Sequence, residues 1–178
     1  GLSAGEMLVD IGTNCEIVLH AGARVVGAAA AAGPAFEGAG IACGCRATPG
    51  AIEAISPASG GGLEIATIGN RPAIGICGSG LLDVVAQLRL HGVLDSSGRM
   101  LSHPLVRERE GAREFVLCER EAEEAITVSQ KDVRELQLAK AAIRLGIRAL
   151  CEAEGLEEGA IGQVIIALPD LCVFQIVR

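Results

Sequence analysis

Three phenylalanines, Phe36, Phe115 and Phe174, are the whole aromatic content of this 178-residue chain, which has no Trp and no Tyr. A core of ordinary density must then be assembled from Val, Ile, Leu and Ala, side chains that suit sheet and helix layers at close approach. A chain of this length buries roughly two-thirds of its unfolded surface, and half of its residues are hydrophobic, which excludes a disordered polymer. The formal charge of −7, with Lys and Arg scattered, excludes a nucleic-acid surface, because phosphate neutralisation needs clustered cations. The stretch from Ile17 to Phe36 is broken by His20, Arg24, Gly22, Gly27, Gly33 and Pro34, so it does not read as a membrane span. No basic segment precedes an apolar run as in a signal peptide, and the chain, opening at Gly1, reads as a piece of a longer one. Cysteines at 15, 43, 45, 77, 118, 151 and 172 form no paired C-x-x-C motif, and reduced thiols in a cytoplasm are the expectation.

Short apolar runs closed by turn residues predict strands at 6–11, 16–20 and 24–29, joined as an antiparallel meander. Gly33-Pro34 opens an expected helix over 35–46. One strand is expected at 63–68 and another at 114–117, within a loop-rich, charged 95–125 whose run from Glu108 to Glu124 reads as a solvated face. A helix over about 79–91 carries Leu81, Leu82, Val85 and Leu88 on one stripe, with Gly92 as its end signal. The strongest helical pattern runs from Gln130 to Glu154, started by Ser129 with Asp132 three residues on, and Gln163 to Ala167 reads as a last buried strand.

Two segments have the chemistry of anion sites. Asp10-Ile11-Gly12-Thr13-Asn14 lies between two predicted strands. Glycine lets backbone N–H groups approach a phosphate, the threonine hydroxyl adds a donor, and a carboxylate can hold Mg²⁺ through water. An ordinary hairpin would use the same residues. Gly75-Ile76-Cys77-Gly78-Ser79-Gly80 precedes a helix, whose first turn aims N–H groups at an anion. A tight strand-to-helix turn with Ser79 as cap serves equally well. Cys43-x-Cys45 lacks a second pair or a nearby His, and burial explains it better than a ligand role. Cys77 reads as packed. Glu37 sits where it could polarise a water near phosphate, or stand as a solvated first-turn acid, and His20, His91 and His103 have no partner at a catalytic spacing.

Taken together, Val9–Asn14, Gly33-Pro34-Ala35-Phe36-Glu37-Gly38-Ala39-Gly40-Ile41, Cys77–Leu81 and the string from Ser129 to Lys140 resemble the C-terminal ATPase domain of reductive activators of corrinoid proteins. The resemblance covers most of residues 6–167. It implies an α/β, actin-like (ribonuclease H-like) fold of the acetate and sugar kinase, chaperone and actin superfamily, with ATP between two halves. Residues 1–167 are then the second half of that domain, and 168–178 an atypical tail. By the same resemblance, Asp10 organises Mg²⁺ and water, and Gly12, Thr13 and Asn14 contact the β- and γ-phosphates; Gly78, Ser79 and Gly80 stay candidate cofactor contacts, and Glu37 a candidate catalytic residue, on their residue types alone.

The implied activity is ATP-driven return of Co(II) to Co(I) in a corrinoid protein, with an iron–sulfur cluster only in the missing N-terminal region. A homodimer contact through the long helix is a further expectation. Where relatives continue with an Ala-Gly-x-Phe-Gly adenosine turn, this chain has Leu168-Pro169-Asp170-Leu171-Cys172. A sugar or acyl kinase of the same superfamily, and a non-enzymatic docking module, are the competing readings.

Overall fold

The structure is a computed structural model that describes every residue except 60, 61, 122, 169, 170 and 178. In chain order the strands and helices are β1 (Glu6–Asp10), β2 (Asn14–His20), β3 (Val25–Ala31), β4 (Ala51–Pro57), β5 (Leu63–Thr67), β6 (Gly75–Ile76) and α1 (Gly78–Leu90). There follow β7 (Val106–Arg109), β8 (Ala112–Cys118), β9 (Ile126–Ser129), α2 (Gln130–Ala153), β10 (Gln163–Leu168) and β11 (Leu171–Val177). Two compact units divide the chain: residues 1–34 with 138–178, and residues 35–137.

The first unit holds one sheet in the order β11-β10-β1-β2-β3. The expected meander is there, with Val9 opposite Ile17 and Ile17 opposite Ala28. β10 joins β1 in parallel, from Glu6 opposite Gln163 to Asp10 opposite Ala167. Side chains alternate between faces with a period of two. Met7, Val9, Cys15, Ile17 and Leu19 are buried on one face, while Leu8, Asp10, Val18 and His20 are only half-buried on the other. α2 lies on the buried face. A Cβ at Gly146 would stand 2.7 Å from Ile17 Cδ1 and 3.2 Å from Ala30 Cβ, so glycine there lets the helix close on the sheet. Of the tail expected from 168 onward, the backbone over Leu171–Val177 pairs antiparallel with β10. Pro169, Asp170 and Arg178 lie outside the described residues.

The second unit contains two three-stranded sheets, β5-β4-β6 and β7-β8-β9. α1 buries Leu81, Val84 and Leu88, rather than the full stripe expected, in a cluster with Ile52, Ile76, Val93, Leu94, Met100, Phe115, Ile126 and Val128. Each such aliphatic side chain contributes about 1.5–3 kcal/mol on leaving water. Gly92, at φ 71°, ends α1 as expected.

The expected helix over 35–46 is instead one 3-10 turn, Pro34–Glu37, followed by bends. Gly38 and Gly40 adopt φ 77° and 79°, which a right-handed helix does not admit. Strand β4 went unread because Pro57 falls in it, but Pro57 is its last residue, opposite Leu63 at the loop end of the hairpin and beyond the stretch that pairs with β6. The charge run also hides a strand pair, β7 with β8. Glu114 on β8 is buried, not solvated: it accepts from Arg107 Nε at 2.6 Å and from Thr127 Oγ1 at 3.2 Å.

The capping residues predicted for α2 form a reciprocal pair. Ser129 N–H donates to Asp132 Oδ2 at 2.8 Å, and Asp132 N–H donates to Ser129 Oγ at 3.1 Å. Asp132 is 1% exposed, and its Oδ1 also accepts from Ala42 N–H at 3.0 Å. Asp132→Ala therefore strands two N–H groups at once and is predicted to lower stability by about 3 kcal/mol. The check is the urea midpoint at unchanged slope; a loss below about 1 kcal/mol would mean that water takes over both bonds.

Candidate phosphate-binding site

β1 and β10 run parallel, so their carboxyl ends open on one sheet edge, the edge at which such sheets receive ligands. Asp10 stands at that end of β1. Ile11 N–H bonds to Ala167 O at 2.8 Å, which keeps the chain on β10 for one residue more before it bends through Gly12 and Thr13 into β2. Gly33 N–H donates to Thr13 O at 3.0 Å and so ties the bend to the end of β3. The φ of 81° at Gly33 is the reason a glycine stands there. Asp10 and Gly12 are half-buried, and Thr13 and Asn14 are exposed.

A carboxylate, a flexible backbone step, a hydroxyl and an amide thus share one rim. Asp10 is directly opposite Glu16 in the register, so the two carboxylates occupy the same face with Cβ atoms about 5 Å apart. The sequence reading missed Glu16. Residues 10 and 16 lie symmetrically about a turn centred on 13, and that symmetry is the signal that could have found it. Mg²⁺ keeps much of its water and usually takes one or two carboxylates plus phosphate oxygens. This rim fits such a share, and no group of three His, Cys, Asp or Glu side chains that could hold a metal ion exists among the described residues.

The glycine turn is built differently from expectation. α1 begins at Gly78 with Cys77 as its N-cap, and Ser79 is not the cap: its Oγ donates to Glu53 O at 2.7 Å. Gly78 and Gly80 are buried, and a Cβ on either would run into a backbone carbonyl oxygen, that of Phe36 for Gly78 and of Ile52 for Gly80. Glu37 follows Phe36 and is exposed. The structure therefore brings Asp10, Gly12, Thr13 and Asn14 together in the first unit, and Glu37, Gly78, Ser79 and Gly80 together in the second.

The Cys43 and Cys77 thiols are hydrogen-bonded. Cys43 Sγ accepts from Thr127 N–H at 3.4 Å, and Cys77 Sγ donates to Ile52 O at 3.2 Å. Burial pushes the Cys45 thiol up. Cys15, with no exposed surface, has its thiol pushed up to about 11 by burial first, then by Glu16 and Asp10. A rise of two units leaves about 100-fold less thiolate at a given pH. Alkylation of Cys15 by iodoacetamide at mildly alkaline pH is predicted to be at least that much slower in the folded chain than in urea. Mass spectrometry of the labelled peptide reads it, and equal rates would place Cys15 at the surface.

A three-strand meander extended by a parallel strand, backed by a long helix, is the sheet arrangement of an actin-like α/β fold. Residues 5–167 match the family model described as the C-terminal domain of RACo, the ASKHA domain. The chain belongs to that family. A solved structure titled reductive activator for corrinoid, iron-sulfur protein superposes with a TM-score of 0.84 at 40% identity, covering 94% of this chain and 28% of that one. Corrinoid activation enzyme RamQ of Eubacterium limosum is 34% identical over 175 residues, 91% of this chain and 29% of its own length. The [Co(II) methylated amine-specific corrinoid protein] reductase of Methanosarcina barkeri is 28% identical over 176 residues, 85% of this chain and 29% of its own length. The chain therefore spans under a third of the curated relatives it matches. No helix among the described residues is long and apolar enough to cross a membrane.

Proposed function

We propose that this chain is the phosphate-binding second half of the ATPase domain of a protein that uses ATP to return an inactive Co(II) corrinoid protein to Co(I). The observation that carries the reading is the Asp10–Asn14 rim at the carboxyl edge of parallel β1 and β10, in a family whose named relatives act on corrinoid proteins. In this reading Asp10 holds Mg²⁺ through water. Gly12 and Asn14 offer backbone and side-chain donors to the β- and γ-phosphates, and Thr13 adds its hydroxyl. Hydrolysis then works by positioning and charge stabilisation, with no covalent intermediate.

The iron–sulfur cluster belongs to the region outside this chain, the partner is a corrinoid protein in the cytoplasm, and α2, on which Leu138 and Leu145 are 65% and 68% exposed, is the face for a homodimer. The test is the full-length protein mixed with its corrinoid partner and a low-potential electron donor. Co(I) absorbance should appear only with ATP and Mg²⁺. Co(I) formed equally without ATP would overturn the reading. The 178-residue chain alone is expected to hydrolyse ATP far more slowly than ~1 s⁻¹.

A further inference from the structure

β3 is the outer strand of the first unit's sheet. An edge strand leaves half of its N–H and C=O groups open to another strand, and edges are ordinarily blunted by charge, proline, a bulge or short length. The outer strands β5 and β7 of the second unit follow that rule, β5 with Glu64 and β7 with Arg107, Glu108 and Arg109. β3 does not. All 7 of its residues pair with β2 without a register shift. No acid or base occurs between residues 25 and 36, in a chain of net charge −7. The β3 side chains turned away from α2, at Val25, Gly27, Ala29 and Ala31, are all exposed.

α2 lies close to this edge. Gly146 stands against Ile17 of β2 and Ala30 of β3, so the helix there runs above the space between those two strands. At 3.6 residues per turn, Leu138 and Leu145 lie about 80–100° to one side of Gly146, and Cys151 about 140° to the other. The 156–159 turn, which leads to β10, lies against Cys151. The flank with Leu138 and Leu145 therefore points past β3, and both leucines are exposed.

We infer that β3 is the contact surface for a second copy of this chain, its β3 paired antiparallel with this one about Ala28. One sheet then runs through both copies, and the two α2 helices lie side by side on it. The inference rests on the homodimer reading above and names the strand that makes the contact. In that register Val25 faces the partner's Ala31, Val26 the partner's Ala30 and Gly27 the partner's Ala29, so no like charges oppose one another. Paired strands stand about 4.8 Å apart. A helix above the β2–β3 space is thus two strand spacings, roughly 10 Å, from its counterpart, which is the distance at which helices pack. Leu138 and Leu145 fill that helix contact.

The test is sedimentation velocity on the 178-residue chain up to millimolar concentration, where a reversible dimer is expected. Val25 and Ala31 are exposed, so the fold tolerates charge at both, and urea midpoints check this. Val25→Lys with Ala31→Lys sets like charges opposite each other at both ends of the strand contact and should weaken the dimer about tenfold or more. Val25→Glu with Ala31→Glu should do the same, and an equimolar mixture of the two variants should recover a one-to-one heterodimer. A dimer that neither variant weakens would overturn this inference and leave the homodimer reading, through α2 alone, standing. Weakened variants that do not recover on mixing would also overturn it, since the two strands would not oppose in this register. A wild-type chain that stays monomeric throughout would overturn both.

Discussion

Replacing Gly80 with alanine is expected to lower the stability of the chain by about 3 kcal/mol. The added Cβ would overlap the Ile52 carbonyl oxygen, lie 2.9 Å from its carbon, and lie 3.3 Å from Ile76 Cγ2. That carbonyl is fixed from two sides. Cys77 N–H donates to it at 3.1 Å and the Cys77 thiol at 3.2 Å, while Ile52 itself has no exposed surface. Helix propensity favours alanine over glycine by about 1 kcal/mol, so a neutral or stabilising result would mean that the close approach of α1 to β4 is not there. Gly92→Ala makes the control. It has open space around its Cβ position and a φ of 71°, so it should lose only about 1 kcal/mol, from backbone strain alone. Urea unfolding at matched slope measures both.

The largest functional effect is expected for Asp10→Asn. The change keeps shape and removes the charge that would gather Mg²⁺ and its water. In the full-length protein it is predicted to slow ATP-driven Co(I) formation by about 100-fold or more, a loss of roughly 3 kcal/mol of charge stabilisation. The fold should hardly respond, because Asp10 is half-buried at a strand end; a change beyond about 1 kcal/mol would mark it as structural. Glu16→Gln separates the two carboxylates of that face. A loss as large as that for Asp10→Asn would transfer the metal role to Glu16.

Much of the first unit was legible because its signals are local. Each strand of the meander is a short run closed by Gly12 or by Ala21-Gly22, and α2 carries both its apolar spacing and its Ser129–Asp132 cap in adjacent residues. What failed depended on partners distant in sequence. The positive φ at Gly38 and Gly40 that breaks the 35–46 segment cannot be seen in a Gly- and Ala-rich string. Glu114 is buried only because Arg107 and Thr127, on the neighbouring strands, satisfy it. The glycines at 78 and 80 were readable as an anion turn. The structure supplies another reason for them, backbone packed on backbone at Phe36 and Ile52. The family resemblance, confirmed over residues 5–167, rested on strings such as Gly33–Ile41 rather than on periodicity.

The central claim, that the rim after β1 receives a metal–triphosphate, is tested most directly by adding Mn²⁺·ATP to the 178-residue chain and recording amide line widths. Paramagnetic broadening reports a nearby Mn²⁺ even when binding is weak. The account predicts broadening centred on Gly12, Thr13 and Asn14 that needs ATP and disappears in Asp10→Asn. Broadening confined to the exposed glutamates, unchanged by that substitution, would contradict it.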